Sequence, residues 1–204
     1  DVPNVIPEYA KVWMWVRDSK RAGVEEVLAR VRDMARGAAL MAGVESKLTI
    51  QTGSYEMLNN MAGARLLDAN LRWLGPINYT EAEQEFARAI QRVTGKPEKG
   101  LDGSIQPLKE NPGPPEGGST DVGDVSWVVP TVQAHAPTMA IGTAFHSWQM
   151  VAQGKTAQAH RAMVQVAKAM AALGARALTD EGLRDAAKAD LAARTARTAY
   201  VCPI

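Results

Sequence analysis

Lys11-Val12-Trp13-Met14-Trp15-Val16-Arg17 alternates strictly, with Val12, Met14 and Val16 on one side and Trp13, Trp15 and Arg17 on the other. A period of two predicts a β-strand, and β-branched and aromatic residues suit its pleated surface. Downstream, Val24, Val27, Val31, Met34, Ala38 and Met41 recur at three- and four-residue steps, which predicts a helix closed by Gly43. Lys47 to Gln51 alternates again, with Leu48 and Ile50 on one face. Strand, helix and strand in succession read as half of a small α+β domain. Two strands alone are marginal in water, so further strands are expected beside them.

Past Tyr55 the pattern turns helical. Met61, Ala64, Leu67, Leu71 and Leu74 form an apolar stripe that Gly75-Pro76 stops, and Thr80-Glu81-Ala82-Glu83 reads as a capping box. Phe86, Ile90 and Val93 are the expected buried stripe of the helix that follows, and Gly95 ends it. Residues 95–118 carry six Gly and five Pro among charges, the composition of a long functional or mobile loop. Val128 to Ala140 holds β-like pieces broken by Pro130 and Pro137. From Ser147 a long helix is expected to about Leu173 and another from Thr179 to about Thr195, with alanines that favour close helix packing.

The totals narrow the function classes. The 204 residues are 46% apolar, enough for a core, and no apolar run nears the ~18 residues of a membrane span. Basic and acidic residues number 23 and 22 and are interspersed, which argues against nucleic-acid and membrane-surface binding. Cys202 is the single cysteine, so an intrachain disulfide and a Cys-rich zinc site are excluded and a reduced, cytoplasmic setting is expected. The start at Asp1, without Met, leads to the expectation of a fragment or a processed chain.

Candidate chemistry gathers in Gly117-Gly118-Ser119-Thr120-Asp121-Val122-Gly123-Asp124-Val125-Ser126 and in Ala144-Phe145-His146-Ser147-Trp148. A lone imidazole in a small-residue loop reads as a metal ligand or as a hydrogen-bonded loop residue. His135, between two alanines, reads as packed or as a residue supporting a site from behind, and His160 as a solvent-facing or helix-packing residue. Arg17 reads as a surface cation or as a bidentate grip on a carboxylate. Asn4 is a turn residue or a substrate contact, and Ser119 and Thr120 form a capping turn or a substrate-holding turn. Asp121 and Asp124 lack the spacing and distal Glu of an EF-hand, so they read as orienting the turn. Trp13 and Trp15 line a pocket for an aromatic acyl group or pack against a helix, with packing the better reading.

Three features in order resemble the dinuclear zinc amidohydrolases of the aminoacylase/carboxypeptidase family, and within it the aminobenzoyl-glutamate hydrolases of the B type. These are Pro3-Asn4-Val5-Ile6-Pro7 with the strand ending at Arg17, Gly118-Ser119-Thr120-Asp121 running on to Pro130, and Phe145-His146-Ser147. The resemblance implies an α/β fold: residues 1–54 as the second half of an α+β lid and dimerisation domain, and 55–204 as the C-terminal part of a zinc-peptidase catalytic domain. It implies His146 as a metal ligand, and Asn4, Arg17, Ser119 and Thr120 as substrate contacts. Two zinc ions are implied for the complete enzyme, with manganese or cobalt as possible substitutes. The catalytic motifs of the family's N-terminal half have no counterpart here, so no catalytic residue is assigned. The chain is expected to resemble only the C-terminal half, inactive alone, needing that N-terminal half and pairing as a homodimer through the lid. The implied reaction is hydrolysis of the amide bond of an N-acyl or N-aroyl amino acid or dipeptide. The alternative is a non-catalytic structural or dimerisation chain.

Overall fold

A computed structural model describes residues 3–110 and 118–204; Asp1 at the chain start and Gly117 of the glycine turn lie outside the described residues. About half of the described residues are helical, in α1 (Arg21–Ala42), α2 (Met61–Leu74), α3 (Glu81–Val93), α4 (Val122–Ser126), α5 (Trp148–Gly154), α6 (Ala157–Thr179) and α7 (Glu181–Thr195). The expected α/β architecture is therefore overturned: this is not an α/β zinc-peptidase catalytic domain. No strand forms among the described residues, and pairing is limited to one parallel bridge between Asn59 and Thr131. Residues 11–17 and 47–51 take no regular secondary structure and exchange no backbone hydrogen bonds with another described stretch. Alternation states which side chains would share a face, but a strand exists only through a ladder with a neighbour. Both faces of 11–17 stay open, with Val12 and Met14 exposed like Trp13 and Trp15.

The chain divides into two units. The first comprises residues 1–56, 113–124 and 201–204. Its helix α1 stops where expected: Gly43 takes a left-handed φ of 66°, and the Gly43 and Val44 amides donate to Leu40 and Ala39 carbonyls. No residue of α1 is buried, and Met34, Leu40 and Met41 are exposed. Polar contacts tie its base instead. The Arg21 amide donates to Glu56 Oε2 at 2.9 Å, the Arg21 guanidinium lies over the Tyr55 ring, and the Tyr55 amide donates to Asp124 Oδ2 at 3.3 Å. No hydrophobic side chain is buried among the described residues of this unit.

The second unit, residues 57–112 and 125–200, holds the core. Helix α2 packs on α6 and α7, and α6 also meets α5. Small buried residues on α6, Ala159, Ala162 and Ala169, allow close approach of its neighbours. Asn60 joins two helices: its Oδ1 caps α2 by accepting from the Gly63 amide, and its Nδ2 donates to the Ala187 carbonyl on α7. The Thr80–Glu83 capping box forms at the start of α3. The buried face of α3 is not the expected one, since Val93 and Phe86 are exposed while Ala87 and Gln91 are buried. The helix docks by side-chain amides: Gln84 exchanges two hydrogen bonds with the Leu101 backbone, and Gln91 does the same with Gly100. The long helix expected after Ser147 is cut in two by Thr156, which caps α6.

No helix among the described residues is long and apolar enough to cross a membrane.

Candidate functional site

The loop bearing His146 stands on a tightly held stalk. Gln153 on α5 is fully buried; its Oε1 accepts from the Ala140 amide at 2.7 Å, and its Nε2 donates to Thr143 Oγ1 and to the Gln149 carbonyl, both at 3.0 Å. Gln91 on α3 reaches the same segment from another side, donating to the Ile141 carbonyl at 2.9 Å, while the Ile141 amide donates to Gly100. The Tyr79 hydroxyl donates to the Pro137 carbonyl, and its ring packs on Ala87, Leu101 and Ala140. Burial pushes the Tyr79 phenol above its ordinary pKa, so it stays protonated and keeps donating. Thr143 closes the stalk by donating from both its amide and its hydroxyl to the Ala140 carbonyl.

On this base the chain makes an abrupt turn. Ser147 Oγ donates to the Ala144 carbonyl at 2.6 Å and accepts from the Met150 amide, which starts α5. Between them His146 has a φ of +59°, and it is the one non-glycine residue with a positive φ among the described residues. Such a conformation costs about 1–2 kcal/mol for an L-residue and is held only when its surroundings over-determine it. His146, Phe145 and Trp148 all face solvent. The turn thus presents an exposed imidazole from a left-handed backbone position, and an imidazole nitrogen is a common metal donor.

The other expected site residues lie in the first unit. Asn4 is exposed in a turn, and Arg17 is exposed with its guanidinium 4.5 Å from the centre of the Trp15 ring. Ser119 is exposed, while Thr120 is half-buried and its hydroxyl accepts from the Val122 amide at 3.3 Å. The Thr120 hydroxyl is therefore engaged in capping, and the Asp124 carboxylate receives the Tyr55 amide. His146 belongs to the second unit. His135 and His160 are exposed, so the packed reading of His135 does not hold.

A two-zinc centre needs several converging donors. Among the described residues no group of three or more His, Cys, Asp or Glu is placed to hold a metal ion. One exposed imidazole is a single donor, so these residues do not build such a centre by themselves. A shallow recess of about 380 Å³ against α6 is lined by Leu74, His160, Arg161, Val164, Gln165 and Lys168, and its Arg161 is paired with Glu83. Gln153 and Gln91 escaped the reading of the sequence. Nothing local marks a buried glutamine, since its partners include backbone groups as far away as 13 residues for Gln153 and 50 for Gln91.

Compared with known proteins, the chain is 30% identical over 226 aligned residues to the B-type subunit of the p-aminobenzoyl-glutamate hydrolase of Escherichia coli (strain K12). The match covers 99% of this chain and 47% of that protein, so the chain spans about half the length of the relative it matches. By its name the relative is one component of a hydrolase. The similarity supports the resemblance read from the ordered motifs. No family model matches, and no solved structure matches.

Proposed function

We propose that this chain supplies one part of a hydrolase that cleaves the amide bond of an N-acyl or N-aroyl amino acid or dipeptide, with an aminobenzoyl-glutamate-like compound as substrate. The observation that carries the reading is the similarity to the hydrolase component along nearly the whole chain. The strained, exposed His146 on its buried glutamine clasp adds to it. In this reading His146 donates one nitrogen to a zinc ion whose other ligands, and the general base, come from a partner polypeptide. Manganese or cobalt would also accept nitrogen and oxygen donors. When bound, such an ion acidifies its water toward neutral pH. The part played by this chain is to present the imidazole and to hold substrate. Arg17 and Asn4 grip its carboxylate, helped by the Ser119–Thr120 turn, and the active form is a homodimer located in the cytoplasm.

The test joins metal content to turnover. The chain alone is expected to retain well under one zinc after dialysis and to release no aminobenzoate from aminobenzoyl-glutamate. Mixed with the polypeptide that carries the base and remaining ligands, it should restore hydrolysis, and His146→Ala should abolish that gain. Tight association without turnover would replace this reading by a scaffolding role. That no hydrophobic side chain is buried among the described residues of the first unit favours that alternative.

A further inference from the structure

Helix α6 runs through 23 residues without one Asp or Glu, yet it carries His160, Arg161, Lys168 and Arg176. Arginines on other helices of this unit are neutralised close by: Arg72 by Asp68 on α2, Arg88 and Arg92 by Glu85 on α3, and Arg194 by Asp190 on α7. Arg176 likewise meets Asp180 just past the end of α6. His160, Arg161 and Lys168 instead line the recess against α6, and among the described residues the one ion pair there joins Arg161 to Glu83 on α3. The helical period sorts this lining into two rows. His160, Val164 and Lys168 follow one another at steps of four, with Arg161 and Gln165 in the row beside them. Cations thus stand at both ends of the recess, and Val164 and Leu74 of α2 supply apolar surface. The two helices that form it are tied together. Gln165 Nε2 donates to the Gly75 carbonyl, next to Leu74, and Asn70 Nδ2 donates to the Ala169 carbonyl at 3.1 Å. At about 380 Å³ the recess falls within the ~300–1,000 Å³ of small-molecule sites.

Spacing along the helix sets the length of what fits. Arg161 and His160 precede Lys168 by about 10–12 Å along the axis, at ~1.5 Å per residue. All three side chains lean toward the helix N-terminus, so that spacing carries over to their charged ends. Contacts of about 2.8 Å at each end leave roughly 5–6 Å between the anionic groups of a ligand, about the reach of three or four methylenes. We infer that this recess binds an elongated organic dianion, two carboxylates joined by a short apolar chain. One carboxylate is held by His160 and Arg161, the other by Lys168, and the chain lies against Leu74 and Val164. None of these residues is assigned to metal or substrate above, so the inference stands apart from the hydrolase reading.

The test is a titration of this chain with adipate and with hexanoate at fixed pH and ionic strength, followed on its backbone amide resonances. The two probes share a six-carbon chain and differ in the second carboxylate. Adipate should shift the amides of residues 160–168, with a dissociation constant on the order of 1 mM. It should bind about fivefold more tightly than hexanoate, the worth of one further exposed charge contact. Lys168→Gln should bring the two probes within about twofold. Val164→Glu, on the exposed side of α6, sets a carboxylate between the rows and should weaken adipate at least about fivefold. Lys188→Gln, at an exposed position on α7, removes the same charge elsewhere and should leave both affinities unchanged. Equal binding of adipate and hexanoate would overturn the site, as would adipate binding weaker than about 20 mM. So would Lys168→Gln acting no more strongly than Lys188→Gln, or shifts spread evenly over the basic residues of the chain. Inorganic phosphate binding as tightly as adipate would also overturn it, because one small anion reaches only one end.

Discussion

Replacing Gln153 by Ala removes three hydrogen bonds from a fully buried side chain and strands the amide of Ala140, which is itself 3% exposed. A typical hydrogen bond contributes about 1 kcal/mol net, and a buried donor left without an acceptor costs about 1–3 kcal/mol. Water entering the vacated space would return part of this, so a loss of about 3 kcal/mol is expected, a large share of the ~5–15 kcal/mol that holds a domain together. With a urea m-value of about 2 kcal/mol/M, the unfolding midpoint should fall by about 1.5 M at unchanged m. Gln133→Ala, at an exposed position, serves as the control and should stay within about 0.5 kcal/mol. Hydrogen exchange supplies the local readout: the Ala140 amide should lose protection before the amides of α2 do. A Gln153→Ala midpoint within about 0.3 M of the unaltered chain, with Ala140 still protected, would refute the claim that this clasp holds the His146 stalk.

Outcomes are expected at four further positions. His146→Gly should stabilise by up to about 1 kcal/mol, because glycine takes a φ of +59° without steric cost, while His146→Val should destabilise by more than about 1 kcal/mol; urea midpoints decide both. Gly103→Ala would set a Cβ 1.9 Å from the Ile77 carbonyl oxygen, and the backbone shift needed should cost about 2 kcal/mol, lowering the melting temperature by roughly 5 °C. Glu83 concerns pH. The Thr80 amide donating to its carboxylate, assisted by the Thr80 hydroxyl and Arg161, holds its pKa below 4.5. A depressed folded pKa means the stabilisation is present above about 4.5 and is lost as pH falls through the folded value. Glu83→Gln should therefore be less stable than the unaltered chain at pH 7, and the two should converge as the solution is acidified below 4.5. Thr80→Ala should cost about 1 kcal/mol through the lost cap, read by urea unfolding.

The candidate site was only partly legible in the sequence. A lone imidazole in a loop of small residues drew attention to His146, and the carboxylate-gripping chemistry of a guanidinium drew attention to Arg17. Neither the left-handed backbone of His146 nor the glutamine clasp beneath it has a sequence signature. The clasp arises from contacts between α3, α5 and the segment 137–143, whose members are far apart in the chain. Trp13 and Trp15 are exposed, not packed on a helix as expected, because alternation does not say whether anything covers the face it defines.

Where structure is local, the sequence alone determined it. Gly43 ends α1, Gly75-Pro76 ends α2, and Thr80 with Glu83 starts α3, because a helix satisfies its hydrogen bonds within a few residues and its ends are set by single side chains and backbone angles. Tertiary structure decided everything that needs a distant partner. The alternating segments 11–17 and 47–51 form no strands because no neighbour among the described residues supplies a ladder. Helix α3 buries Ala87 and Gln91 in place of Phe86 and Val93 because its docking surface is the backbone of Gly100 and Leu101, which hydrogen-bonds to glutamine amides and offers phenyl or isopropyl groups nothing comparable.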